Sequence, residues 1–155
     1  MSFHIRALPF ASFAPLLSMT DEALRSHRAM RRIADKKPGF PCRVSLVDAE
    51  VGENVLLVHF EHQSADTPFR SSHAIYVREN ATQAKYDRNE VPELFRSRLL
   101  SLRGFDACGM LIDADVVEGT LLEPRLERML EHRLVDYVHL HYAKPGCYAA
   151  RADRA

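Results

Sequence analysis

The chain has 155 residues, of which 46% are hydrophobic, and its 21 Lys and Arg side chains balance its 21 Asp and Glu side chains. This length and composition predict a single folded domain over residues 1–155, with enough apolar residues for a substantial core. Because a chain of zero net charge carries no overall positive field, the composition argues against nucleic acid or an anionic membrane as a partner.

The cysteines and the absence of long apolar runs indicate the cellular compartment in which the protein is expected. Cys42, Cys108 and Cys147 are widely spaced and form no Cys-x-x-Cys pair. An odd number of separated cysteines is typical of a reducing compartment, and the sequence shows neither a signal-peptide pattern nor a membrane-spanning run. We therefore expect a soluble cytoplasmic protein.

The first part of the chain predicts a strand, a loop and a helix. Alternation from Phe3 to Leu8 is typical of a short strand, whereas the irregular apolar segment 10–19 contains Pro15 and predicts a loop. Thr20 is a good N-cap, and the helix that it opens is expected to end before Pro38. Five residues recur at helical spacing along it: Leu24, His27, Met30, Ile33 and Ala34.

The same predicted helix turns a basic face outward. No aromatic residues interleave with the basic ones, and no zinc or helix-turn-helix pattern accompanies them, so a solvated or partner-facing surface is favoured over a nucleic-acid interface. A short anionic ligand stays possible at this face. The basic residues are Arg25, Arg28, Arg31, Arg32, Lys36 and Lys37.

Residues 38–80 contain three apolar-rich runs, which predict a three-stranded antiparallel meander. In the first hairpin, 42–48 would pair with 54–61 about a turn at Val51 and Gly52, because this register gathers the apolar side chains on one face. A one-residue slip would bury charged residues instead. The apolar face would consist of Cys42, Val44, Leu46, Leu56, Val58 and Phe60.

Polar side chains are expected to converge at the open end of this meander, where the loop 62–72 begins. Arginines bind carboxylates or phosphates through forked hydrogen bonds, a histidine can move a proton, and a glutamate can orient it. The alternative is a solvated strand end with a cross-strand ion pair between Arg43 and Glu61. The predicted ligand-binding residues are Arg43, His59, Glu61, Arg70, Ser71, Ser72 and His73.

The same segment also contains the residues that nucleophilic catalysis requires. Cys42 beside Arg43 could form a reactive thiolate with His59 or His73 as its base. The register above places Cys42 on the core face, which favours a buried cysteine over a nucleophile. An enzyme of hydrolase type that uses His73 stays an alternative.

The second half predicts two helices and two strands. A polar connection over 81–91 precedes a helix that Pro92 begins and Gly104 ends, and a strand follows over 105–112. Asp113 and Asp115 would lie in the loop after this strand. A hard-cation site there is disfavoured, because no further oxygen ligands follow in series.

The last elements are a helix that begins near Pro124, a strand over 136–142 and a turn at 144–146. His139 and His141 share one face of that strand. Together with His59 and Glu61 they could form a metal centre, although solvated or hydrogen-bonded histidines explain the pair without metal. The tail through Arg154 predicts an edge strand or a frayed end.

Two segments carry a resemblance to a known family. PGFPCRVSLVDAEVGENVLLVHFEHQ and PFRSSHAIYVREN closely resemble a bacterial family of domains of unknown function, the one numbered 1203. Its most specific positions here are Cys42 and Arg43 in PCRVSL, and Arg70 to His73 in PFRSSHAIYVRE. The resemblance implies a single domain of similar length in a bacterial setting, and it implies no catalytic role for any of these positions.

Taken together, the patterns predict an α+β domain with a largely antiparallel sheet and about three helices. The expected function is a small-molecule binding module for an anionic metabolite, with no cofactor identified. The alternatives are an enzyme that uses His73 or a histidine-based metal centre, and an interaction protein that forms a homo-oligomer through a sheet edge.

Overall fold

The computed structural model describes all residues, 1–155. The chain divides into two compact units: the first unit comprises 1–6, 61–72 and 85–155, and the second unit comprises 7–60 and 73–84. The prediction that residues 1–155 form a single domain stays a prediction. No helix is both long and apolar enough to cross a membrane.

The first unit contains a five-stranded antiparallel sheet with the order β1-β8-β7-β5-β6. The helix α4 packs against β1, β6, β7 and β8. The elements are β1 (Phe3–Arg6), α3 (Glu93–Arg96), β5 (Leu99–Phe105), β6 (Leu111–Glu118), a 3-10 turn (Gly119–Leu121), α4 (Leu122–Glu131), β7 (Tyr137–Tyr142) and β8 (Tyr148–Arg154).

The helix α4 covers only one face of that sheet. A Cβ atom at Gly104 would lie 3.2 Å from the side chains of Met129 and Val135, so the Gly104 position of β5 faces the helix layer. Gly104 is paired with Val138 of β7, which is fully buried with Leu140. Since strand side chains alternate, the intervening residues of β7 face the opposite side of the sheet.

The second unit contains most of a three-stranded sheet with the order β2-β3-β4. The last residues of β3, 61–63, and the first of β4, 71–72, are counted with the first unit. Its elements are a 3-10 turn (Phe10–Ser12), α1 (Ala14–Leu17), α2 (Asp21–Ser26), β2 (Ala29–Ile33), β3 (Asn54–Gln63) and β4 (Ser71–Arg78).

The antiparallel prediction is confirmed, but the chain is mainly β rather than α+β, with four short helices. The helix predicted from Thr20 begins correctly, because the Thr20 hydroxyl accepts a hydrogen bond from Ala23 N at 3.2 Å. It ends at Ser26, and Arg28 adopts a positive φ of 52° that turns the chain into β2. The predicted basic helical face is therefore wrong.

The predicted hairpin between 42–48 and 54–61 is also wrong. Residues 41–48 form a tight loop closed by a bridge between Pro41 and Asp48, and Leu46 has a positive φ of 49° within it. β3 pairs with β2 instead, with Ala29 opposite Val58. Phe60 of the predicted face is only partly buried. The other five apolar residues are nevertheless buried, because either arrangement encloses them: Cys42, Val44, Leu46, Leu56 and Val58.

Three further predictions in the second half need correction. The helix from Pro92 ends at Arg96, so Gly104 lies inside β5 rather than at a helix end. Asp113 and Asp115 lie within β6, and the tail forms the interior strand β8 between β1 and β7. The helix near Pro124 and the strand before the 144–146 turn are confirmed as α4 and β7.

Candidate functional site

The predicted ligand-binding residues fall in both units. Arg43, His59 and His73 belong to the second unit, whereas Glu61, Arg70, Ser71 and Ser72 belong to the first. Arg43 is 1% exposed, and its Nη1 donates to Pro41 O at 2.5 Å. His59 is exposed, and Nδ1 of the half-buried His73 lies 3.0 Å from Ala74 O.

Within the first unit, the predicted residues form two local pairs. Arg70 binds Glu61 through two hydrogen bonds, from Nε at 3.0 Å and from Nη2 at 3.2 Å. Ser71 Oγ lies 3.2 Å from Nε2 of His62, a residue that the sequence analysis did not select. The second pair includes His62, which belongs to a cluster of histidines.

His62, His139 and His141 lie together against Tyr148. The ring centroids of His62 and His141 are 4.9 Å apart, and those of His62 and His139 are 6.2 Å apart. The His62 ring stacks on Tyr148 at 5.7 Å with an interplanar angle of 15°. His139 and His141 are 4% and 0% exposed, so β7 presents two buried imidazoles on the face away from α4.

The strands beside β7 place charged side chains on this same face. Arg103 of β5 and Arg151 of β8 are both paired in register with His139, so the three side chains project from one side of the sheet. Ser101 of β5 is opposite His141. We call the residues Ser101, Arg103, His139, His141, Tyr148 and Arg151 the polar face of the five-stranded sheet.

The hydrogen bonds at this face fix two imidazole tautomers. His141 Nδ1 lies 3.0 Å from Gly146 O, and because a carbonyl only accepts, Nδ1 carries the proton. Ser71 Oγ donates to Phe69 O at 2.9 Å, so it accepts from His62 Nε2. In the neutral ring of His141, Nε2 is therefore an acceptor.

Two imidazole nitrogens of the polar face are buried and have no hydrogen-bond partner, Nδ1 of His139 and Nε2 of His141. Leaving a buried polar atom without a partner costs about 1–3 kcal/mol. A ligand that hydrogen bonds to them would therefore recover stability that the protein alone lacks.

Burial and neighbouring positive charges keep both histidines neutral. Burial lowers the pKa of His139 to about 3, with further contributions from His62, Arg151 and Arg103. The pKa of His141 is also lowered to about 3, mainly by burial and next by Arg103. Both imidazoles are uncharged at neutral pH.

Arg103 is the arginine of the polar face that has no counter-charge. It is half-buried, it forms no ion pair or hydrogen bond with another side chain, and burial lowers its pKa. Arg151, in contrast, binds Asp153 at 2.6 Å and lies 4.0 Å above the ring of Tyr137. The polar face thus carries one positive charge that nothing in the chain neutralises.

This arrangement fits an anion better than a cation. No group of three or more His, Cys, Asp or Glu side chains is arranged to hold a metal ion. The uncompensated charge of Arg103 disfavours a cation beside the histidines, whereas an anion would be attracted. The metal-centre alternative predicted for His139 and His141 therefore gains no support from the geometry.

The sequence predicts only part of this face. It placed His139 and His141 on one side of a strand from alternation, and the structure agrees. The sequence did not reveal Arg103, because the pattern from Pro92 to Gly104 predicts a helix and so concealed the strand register. It missed His62 because the residue was assigned to a loop; the pairing of Ser71 with His62 could not be predicted from spacing alone.

Comparisons with known proteins give a family and no individual relative. No curated protein and no solved structure shows significant similarity to the chain. Residues 39–154 match the family described as protein of unknown function DUF1203, and this range includes every residue of the polar face. The chain belongs to the DUF1203 family.

Proposed function

We propose that this protein binds a small anionic ligand on the polar face of the five-stranded sheet. The observation that carries the proposal is the half-buried guanidinium of Arg103, which has no anionic partner. A charged group removed from water is normally paired, so an unpaired one beside buried, unsatisfied nitrogens favours a missing counter-ion.

The surrounding side chains support recognition rather than simple attraction. A planar guanidinium binds carboxylates and phosphates through two parallel hydrogen bonds, which fixes the orientation of the ligand. His139 and His141 add nitrogens on the neighbouring strand, and Tyr148 supplies an aromatic wall. The proposed class of function is therefore a binding module for a small anion.

The residues predicted from the sequence stay a second proposal for the location of the anion. They are Arg43, His59, Glu61, Arg70, Ser71, Ser72 and His73. Ser71 supports a link between the two proposals, because it accepts from His62 within the histidine cluster. Arg70 is less suited to bind an anion, because Glu61 already pairs with its guanidinium and neutralises the charge.

We also propose a cytoplasmic location. Support comes from Cys42, Cys108 and Cys147, none of which forms a disulfide. Persistent free cysteines are typical of a reducing compartment.

The test is thermal unfolding of the full chain against sulfate, phosphate and citrate, with sodium chloride at equal ionic strength as the reference. A ligand at about one hundred times its Kd adds about 2.7 kcal/mol of stability, which raises the Tm visibly. We expect stabilisation of the wild type and loss of that stabilisation in Arg103→Gln.

Arg128→Gln is the matched control, because Arg128 is an exposed arginine of α4 in the same unit. This variant should respond to anions like the wild type. If no anion raises the Tm, or if Arg103→Gln and Arg128→Gln respond equally, the proposal is wrong.

A further inference from the structure

We infer that this site binds a dianionic oxyanion together with one proton, which is held at Nε2 of His141. The inference rests on the proposed anion-binding function and adds the class of ligand and its link to pH. Its basis is the hydrogen bond between His141 Nδ1 and Gly146 O, which determines what the other nitrogen can do.

A neutral His141 cannot donate to an anion. Its only ring proton is on Nδ1 and is engaged by the Gly146 carbonyl, so the buried Nε2 presents a lone pair. A fully ionised anion also presents only lone pairs, and two acceptors repel at hydrogen-bond distance. Contact with Nε2 therefore requires a proton between the two atoms.

The groups around His141 explain why this proton is absent until the anion arrives. Burial contributes most to its lowered pKa, the positive charge of Arg103 on β5 comes next, and His62 and His139 add smaller contributions. The carboxylate on this side, Asp153, is neutralised by Arg6 and Arg151, each of which donates from Nε at 2.7 Å. The phenol ring of Tyr148 also faces His141, with the ring centroids 5.9 Å apart.

A bound dianion would reverse this balance. One negative charge offsets Arg103 and the second offsets an imidazolium at His141, so the occupied site is neutral. The anion accepts from the Arg103 guanidinium and from Nε2–H, and the proton comes from the solvent. A monoanion would leave the imidazolium uncompensated, which is why the site should favour a dianion such as sulfate or a phosphate monoester.

Sulfate is the appropriate probe because it stays fully ionised over the pH range of interest. Isothermal titration of the full chain at about pH 6, in two buffers with different ionisation enthalpies, measures the protons taken up from the buffer. We expect uptake of about one proton per sulfate bound. The affinity should also fall about tenfold per pH unit between about pH 5 and pH 7, until the bound imidazolium itself deprotonates.

Two variants test whether the proton that is taken up on sulfate binding is held by His141. His141→Gln replaces the imidazole with an amide, whose N–H donates without titrating, so sulfate should bind without proton uptake and with little dependence on pH. His27→Gln is the control, since His27 is an exposed histidine of the second unit. It should behave like the wild type.

Each outcome has a separate meaning. If sulfate binding depends on Arg103 but proceeds without proton uptake, the proton inference is wrong and the anion site stands. If neither sulfate nor phosphate binds in an Arg103-dependent way, both the anion-site proposal and the proton inference are wrong. If His141→Gln does not fold, the proton count and the pH slope of the wild type decide, because neither measurement requires a variant.

Discussion

Arg70 and Arg103 are two arginines of the same unit with opposite electrostatic surroundings. Arg70 is 54% exposed and carries Glu61 on its guanidinium, and this hydrogen-bonded carboxylate raises the pKa of Arg70. Arg103 is half-buried without a carboxylate, and burial lowers its pKa. The charge of Arg70 is neutralised by a carboxylate of the chain, whereas the charge of Arg103 lacks a counter-ion.

The difference shows why a high number of charged residues in one sequence segment is a poor guide to a binding site. Arg70 lies in the most polar segment of the sequence, next to Ser71, Ser72 and His73, and the fold pairs it locally. Arg103 lies between Leu102 and Gly104, where the sequence looks apolar. An unpaired charge, rather than a cluster of charges, indicates where a ligand is missing.

Acidification is expected to produce the largest loss of stability, and the loss comes from His139 and His141. Each has a pKa of about 3 in the fold against an ordinary value of 6.5. Below pH 6.5 the unfolded chain binds protons that the folded chain does not, so stability is full above this pH and falls toward about pH 3. We expect a loss of about 2 kcal/mol per histidine by about pH 5, measured by urea unfolding in chloride buffers.

The double variant His139→Phe with His141→Phe provides the control for this loss. It removes both titrating groups, so its stability should depend much less on pH between about 7 and 5. An equally steep loss in the double variant would show that the histidines are not its source. Added sulfate should reduce the loss in the wild type if the anion and the proton bind together.

A paired arginine should be the next most costly to remove. Arg78 of β4 binds Glu53 through two hydrogen bonds at 2.7 and 2.8 Å, and both side chains are largely shielded from water. The Arg78 hydrogen bond lowers the pKa of Glu53, so this stabilisation is present above pH 4.5 and is lost on acidification below it. We expect Arg78→Ala to reduce the free energy of unfolding by about 1–2 kcal/mol at neutral pH.

Glu53→Gln is the matched comparison, because it removes the charge and one of the two acceptor oxygens but keeps the other beside Arg78. We expect it to cost less than Arg78→Ala, as measured by the same urea unfolding. Equal losses would show that the hydrogen bond to the remaining neutral acceptor contributes nothing to stability.

Removal of the unpaired arginine should have the opposite sign. Arg103→Met keeps the apolar length of the side chain and removes a half-buried charge that the chain does not neutralise. We expect stability to rise by about 1 kcal/mol in chloride buffer, because the desolvated charge is gone. A loss of stability comparable to that of Arg78→Ala would mean that Arg103 already has a favourable partner within the protein. The proposed contrast between Arg103 and Arg70 would then be wrong.

The burial of the core was predictable, but its strand pairing was not. Cys42, Val44 and Val58 are buried as expected. Their hydrophobicity requires burial in any compact fold, whereas the pairing partner of β3 depends on a distant segment. β2 fills that place, and its residues 29–33 also match helical spacing, so the periodicity was ambiguous.

The candidate site was predictable only where local alternation was enough. Alternation in β7 placed His139 and His141 on one face, and burial of all six residues of the strand could not be inferred from it. Arg103 required knowledge that β5 lies beside β7. The approach of His62 to these strands is a tertiary contact, for which the sequence provides no local signal.

Arg70→Ala should have the smallest effect on stability and is the most direct test between the two proposed anion sites. Exposed ion pairs contribute little because solvent screens them, so removal of the Glu61 pair should lower the free energy of unfolding only slightly. If Arg103 binds the anion, sulfate should stabilise Arg70→Ala as strongly as the wild type. If sulfate instead stabilises Arg103→Gln but not Arg70→Ala, the anion lies at the segment predicted from the sequence, and Glu61 must then release Arg70 when the ligand binds.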